Sequence, residues 1–188
     1  MDHSPVTDHL HAASPGVTDP SSPAPTSSLH SVTSNAARFI AHGETLTYAT
    51  THALEFIDIT EDIRASVQRS GLRFGQVAVF SGHTTAAIII NEHEPLLLND
   101  MARVISRLSP ASDYYEHNDF SIRTVNMNED ECANGHSHCQ HLFLGCSETL
   151  PVHDGDLRLG RYQRCFLVEL DHGRRREVIV QAIGVAGD

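Results

Sequence analysis

The stretch NGHSHCQH, residues 134–141, places three histidines and one cysteine within six residues. Neutral imidazole is a common ligand for zinc and similar ions. If residues 136–138 are extended, His136 and His138 project to the same side and begin a chelate. Zinc takes three or four ligands. The rest would come from elsewhere, and His83, His93, His117 and Cys139 are the donors on offer. The opposing reading is a chance cluster, because the chain carries 14 histidines. A Cys139 nucleophile served by its neighbours is weaker, since adjacent strand residues do not face each other. No G-x-S-x-G and no G-x-G-x-x-G after a strand occurs. The common hydrolase elbow and a dinucleotide fold therefore have no support.

Bulk chemistry narrows the classes further. The chain has 188 residues and a net charge of −11, and all 13 of its basic residues are arginine. With no lysine, Schiff-base chemistry and a P-loop lysine are excluded. An acidic chain repels phosphate backbones, so no nucleic-acid partner is expected. The cluster Arg174-Arg175-Arg176 either holds one anionic group or is a solvated turn between strands. No apolar run approaches the roughly 20 residues that span a membrane. The opening MDHSPVTDHLHAASPG has neither a cationic n-region nor an apolar h-region, so the expected home is the cytoplasm. There the four cysteines are not a disulfide framework, and Cys146 and Cys165 read as small buried hydrophobes.

The elements that must position these residues begin after a tail. Residues 1–37, rich in Pro, Ser, Thr and His, have too little to bury and read as disordered. Residues 38–188 form one domain. Thr45 to Ile59 suggests two short strands around Thr51-His52. Thr60 is placed to cap a helix over 61–70, with Gly71 as its stop. QVAVF (76–80) and TAAIII (85–90) read as strands joined by a tight connection. Pro95 opens a second helix whose apolar stripe is Leu97, Met101, Val104 and Leu108. Asp100 lies about 60° from Leu97 on that helix, either a solvated flank or a carboxylate aimed into a site. Residues 109–138 form a long polar loop, a length uncommon without a function. LFLGC, LRL, RCFLVEL and EVIVQAIG supply further strands. Strands outnumber helices without alternating with them, which favours an antiparallel α+β domain.

The series GHTTAAIIINEHEP, DYYEHND, NGHSHCQHLFLGCSETLPVHDG and LGRYQRCFLVELD resembles the YjbQ-like family, also labelled the secondary thiamine-phosphate synthase enzyme family. The likeness runs in order from about residue 43 to residue 184. It implies an α+β fold built on an antiparallel β-sandwich with two helices, assembled as a homotrimer with polar clefts between subunits. His83, His117 and His138 match the family histidines and are the implied ligands of a divalent metal, with His136 and His141 as local additions. Glu92, Asp100 and Gln163 resemble catalytic residues near the cleft. Thr84, Thr85, Ser147 and Arg161 are expected on the substrate. Two departures stand out. Tyr162, within Arg161-Tyr162-Gln163, stands where G-x-W-Q has its tryptophan, and Cys139-Gln140 stands where the family often has a lysine after its histidine.

The family label implies joining a pyrimidine diphosphate to a thiazole phosphate with loss of pyrophosphate. Such a displacement needs a metal or arginine on the departing charge. Histidine ligands favour a zinc-like ion, whereas a diphosphate draws magnesium. The same groups would serve a metal-dependent hydrolase of a small phosphorylated or amide substrate, or a non-catalytic metal- or ligand-binding trimer.

Overall fold

The computed structural model describes residues 37–186. The Pro/Ser/Thr-rich segment and His3, His9, His11 and His30 lie outside the described residues. Among the described residues, eight strands form two antiparallel sheets. The larger has the order β1 (Phe39–Ala49), β8 (Arg175–Ala186), β3 (Leu72–Ser81), β5 (Ser147–His153) and β6 (Asp156–Leu157). The smaller has β2 (Glu55–Asp58), β7 (Gln163–Glu169) and β4 (Ala86–Glu92). Three α-helices complete the fold, α1 (Thr60–Ser70), α2 (Pro95–Leu108) and α3 (Gly135–Leu144), with a 3-10 turn at Glu116–Asn118.

The apolar pattern explains the layering. Val77 and Val79 of β3, Val178, Val180 and Ala182 of β8, and Ile88 and Leu167 of the small sheet are fully buried in one core. Helix α1 adds Ile63 and Val67 to it. The opposite face of the small sheet is covered as well, with Ala87, Phe166 and Val168 packed against Ile105 and Leu98 of α2. Burial on both faces is why Cys165 to Leu170 are consecutively inaccessible, and why RCFLVEL is a continuous run rather than an alternating one. The antiparallel sandwich with flanking helices is the α+β fold the chain's pattern predicts. No described helix is long and apolar enough to cross a membrane.

Several local expectations change. Helix α1 ends at Gly71 in the left-handed conformation, as its sequence predicts. Thr60, however, lies inside the helix, and its hydroxyl accepts from the Cys165 N–H at 2.8 Å. β3 and β4 do not pair, because Gly82–Thr85 carries the chain from one sheet to the other. Helix α2 opens at Pro95 with Glu94 capping Leu96 and Leu97 N–H groups. Its buried face is Leu98 and Ile105, one residue on from the expected stripe, so Val104 and Leu108 are left exposed.

The largest change is α3. Residues 136–138 are helical rather than extended, and LFL ends the helix instead of opening a strand. Tertiary anchors hold it. The Ser137 hydroxyl donates to Leu170 O at 2.6 Å, the Gln140 amide to Ser109 O at 3.0 Å, and Gly135 N–H to Asn118 Oδ1 at 2.8 Å. On a helix, His136 and His138 diverge by about 200°.

Candidate functional site

A cleft of about 960 Å³ opens at one end of the small sheet. Four segments converge on it: the Gly82–Thr85 crossing, the 3-10 turn with its following loop, the first turns of α3, and the β7–β8 turn. The close approaches need glycine. A Cβ at Gly135 would come 2.7 Å from Tyr115 Cβ, and one at Gly173 would come 2.5 Å from Thr51 O. The first brings α3 against the 3-10 turn, and the second lets the β7–β8 turn lie on the strand-end backbone.

His83, His117 and His138 all line this cleft. The His117 and His138 rings stand 4.7 Å apart between centroids, near an edge-to-face angle. His117 Nε2 is buried with no hydrogen-bond partner in the chain. Burial, then the charge of His117, pushes the His138 pKa below the usual imidazole value. Burial and the nearby Arg176 do the same to His83. Both are thereby biased toward the neutral form. His83 differs from the other two in its bonding. Its Nε2 accepts the Glu177 N–H at 2.9 Å. The ring proton must then sit on Nδ1, so this tautomer presents a donor and no spare lone pair.

Beneath the cleft floor lies a buried ion pair. Arg176 and Glu169 are 2 % and 0 % exposed. Their contact is bidentate, with Nε to Oε2 at 2.7 Å and Nη2 to Oε1 at 2.5 Å. Arg176 also donates to the Thr85 hydroxyl at 2.9 Å, and Thr50 donates to Glu169 at 2.7 Å. Thr85, expected on the substrate, is thus committed to the framework. Thr84 is exposed in the cleft. The basic run divides at the start of β8: Arg174 lines the cleft, Arg175 faces solvent, and Arg176 is buried. It is not a solvated turn throughout.

Arg123 ties together the middle of the long loop. Arg123 donates to His117 O, to Asn126 O at 2.8 Å, and to Glu131 at 2.8 Å. At its far end Cys132 meets the β7–β8 turn. Cys132 Sγ lies 3.7 Å from His172 Nδ1 and 3.9 Å from Asp171 Oδ2. Arg174 reaches Asp171 Oδ2 at 2.7 Å, and Asn134 donates to the same oxygen at 3.0 Å. Burial opposes ionisation of Asp171, but hydrogen bonds from Asn134 and His172 outweigh it and hold its pKa below the usual value.

The remaining expected site residues do not line this cleft. Glu92 and Gln163 are register partners at the opposite end of the small sheet. Six residue steps separate Glu92 from the Ala86 end, about 20 Å of strand. Gln163 Oε1 accepts Gly160 N–H at 2.8 Å. Asp100 is paired with Arg103 on the exposed side of α2. Ser147 starts β5 opposite Phe80, and the Arg161 guanidinium lies 5.3 Å from the Tyr162 ring centroid. His93 binds Asp58 at 2.9 Å and packs on Phe166. Among the residues not foreseen, Glu169 had a usable signal. A carboxylate closing a run buried on both faces needs a cation, and Arg176 lies just across the turn. Cys132, Asp171 and His172 carry no motif.

Comparison with known proteins matches residues 44–185 to the family described as UPF0047 protein YjbQ-like. A UPF0047 protein of Methanothermobacter thermautotrophicus is 37 % identical over 135 residues, 72 % of this chain and 87 % of the relative. One from Archaeoglobus fulgidus is 36 % identical over 138 residues, 73 % of this chain and 98 % of the relative. Among solved structures, a YbjQ-like protein of unknown function from Sulfolobus solfataricus has a TM-score of 0.69 at 32 % identity, covering 78 % of this chain and 99 % of its own. The match spans the four converging segments and both sheets, and by it the chain belongs to the YjbQ-like UPF0047 family.

Proposed function

We propose that the cleft is the active site of a metal-assisted hydrolase acting on a small phosphorylated molecule. The observation that carries this is the His117–His138 pair: two imidazoles in contact at the cleft wall, with the buried His117 Nε2 unpartnered. Two such imidazoles fit the first two ligands of a zinc-like divalent ion. When bound there, the ion supplies Lewis-acid polarisation of a phosphoryl oxygen and acidifies a water. The chain's own groups do the rest. His83 Nδ1–H and the Thr84 hydroxyl are donors for the anionic oxygens. Arg123 holds His117 through its carbonyl and keeps the loop over the cleft. Ile122 and Val125 give the loop side an apolar lining.

The thiamine-phosphate reaction suggested by the resemblance would use the same donors. Hydrolysis is preferred because Glu92 and Asp100, the acidic residues that the resemblance assigns to that reaction, stand away from the histidines of the same chain. The test is release of inorganic phosphate from a panel of small phosphate esters by the untagged full chain loaded with zinc or manganese. His117→Ala and His138→Ala should each lower turnover about a hundredfold or more. Pyrophosphate release that requires both a pyrimidine diphosphate and a thiazole phosphate, with no ester hydrolysed, would overturn hydrolysis in favour of transfer.

The same reading includes a homotrimer. Phe80 and Ile179 are neighbours on adjacent strands of the large sheet and both are exposed, as are Val104 and Leu108 of α2. Exposed apolar groups of this kind favour burial between copies.

A further inference from the structure

We propose that Cys132, Asp171 and His172 form a second cation site, distinct from the His117–His138 pair and independent of the hydrolase reading, that takes a zinc-class ion and clamps the long loop to the β7–β8 turn. Among the described residues, these three supply one sulfur, one oxygen and one nitrogen whose donor atoms all lie within 4.8 Å of one another. Three protein ligands with a fourth position open is the donor count of a catalytic zinc. Thiolate and imidazole select a borderline-soft ion over magnesium or calcium.

A second observation identifies the cluster as a seat for positive charge. A cation already occupies it. Arg174 Nη2 stands 2.7 Å from Asp171 Oδ2, 3.9 Å from Cys132 Sγ and 2.7 Å from both ring nitrogens of His172. The carboxylate is also oriented from behind: Asp171 is 8 % exposed, takes the Asn134 amide at 3.0 Å, and its N–H is held by Glu169 at 3.0 Å. Such supporting bonds are what fix a ligand's direction. Loading balances in charge. The Cys132 thiol gives up its proton to solvent, thiolate and carboxylate neutralise the divalent ion, and the Arg174 guanidinium leaves the seat. Arg174 lines the cleft. Its release by the ion adds a free guanidinium there. Cys132 and His172 also line the cleft, so the ion would fix one wall.

The experiment is a cobalt(II) titration of the reduced, untagged full chain, followed in the near-ultraviolet thiolate-to-cobalt charge-transfer band. A histidine-only site gives no such band. One equivalent of cobalt should raise it. It should vanish in Cys132→Ser, need about tenfold or more cobalt in His172→Ala, and persist in the His117→Ala/His138→Ala double variant. Arg174→Ala should tighten binding, because the competing cation is gone. Zinc should also protect Cys132 of the unaltered chain from iodoacetamide, read by peptide mass spectrometry. No band, a band that survives Cys132→Ser, or equal Cys132 alkylation with and without zinc would overturn the site.

Discussion

Arg176 shows what a single residue holds in place under the cleft. It neutralises Glu169 in the interior, and it fixes Thr85 beside His83. Removing one partner leaves the other charged and dry. Arg176→Ala should therefore destabilise the chain by about 3–5 kcal/mol, measured by urea unfolding. A loss below about 1 kcal/mol would mean water reaches Glu169. The imidazoles make a separate prediction for the metal-free chain. His83, His138 and His141 all have pKa values lowered first by burial. As pH falls below the ordinary imidazole value of about 6.5, the unfolded chain takes up protons that the folded chain refuses. Stability is thus full above that value and declines as pH falls toward the lowered ones. The melting temperature should drop between about pH 7 and pH 5, and less steeply in His138→Gln. An unchanged slope in that variant would remove His138 from the explanation. At this scale the three cleft histidines were named by resemblance, and the fold brings them to one cleft. Their division of labour was not legible, since the bond from Glu177 N–H to His83 depends on where β8 begins.

The elements differ in how local their causes are. Gly71 ends α1 and Pro95 opens α2 because capping chemistry acts within a few residues, so both boundaries were readable. Helix α3 was not. Its sequence has little apolar period, and its bonds go to Asn118, Ser109 and Leu170, all distant along the chain. Tertiary contacts overrode local preference there. The stripe of α2 failed by one residue for a related reason, as Leu96, Leu97 and Leu98 are equivalent until the small sheet selects Leu98. The helix-to-turn approach gives a prediction. Gly135→Ala places a methyl 2.7 Å from Tyr115 Cβ. It should cost about 1–3 kcal/mol by overpacking and weaken metal binding by moving His138 from His117. Wild-type stability and metal content would show that the approach is not needed.

For the whole molecule, the two sheets and α1 make a sandwich whose cleft sits where strands change sheets and loops gather. Glu92, Asp100 and Gln163 lie elsewhere on the same chain. In a trimer, one copy's residues of this set could meet a neighbour's cleft, which single-chain geometry does not provide. Sedimentation equilibrium should give three times the 20.6 kDa chain mass, and Val104→Asp should shift the chain toward monomer. A monomeric parent would confine the site to the groups already gathered around the histidine pair.

The proposed function requires that His117 and His138 hold a metal. Its most direct test is elemental analysis of the untagged full chain in the Cys132→Ser background, where the second site cannot contribute, after a brief chelator wash. We predict about one equivalent of a zinc-like metal per chain, lost when His117→Ala and His138→Ala are added. Metal absent from the parent, or retained undiminished in the triple variant, would contradict the account.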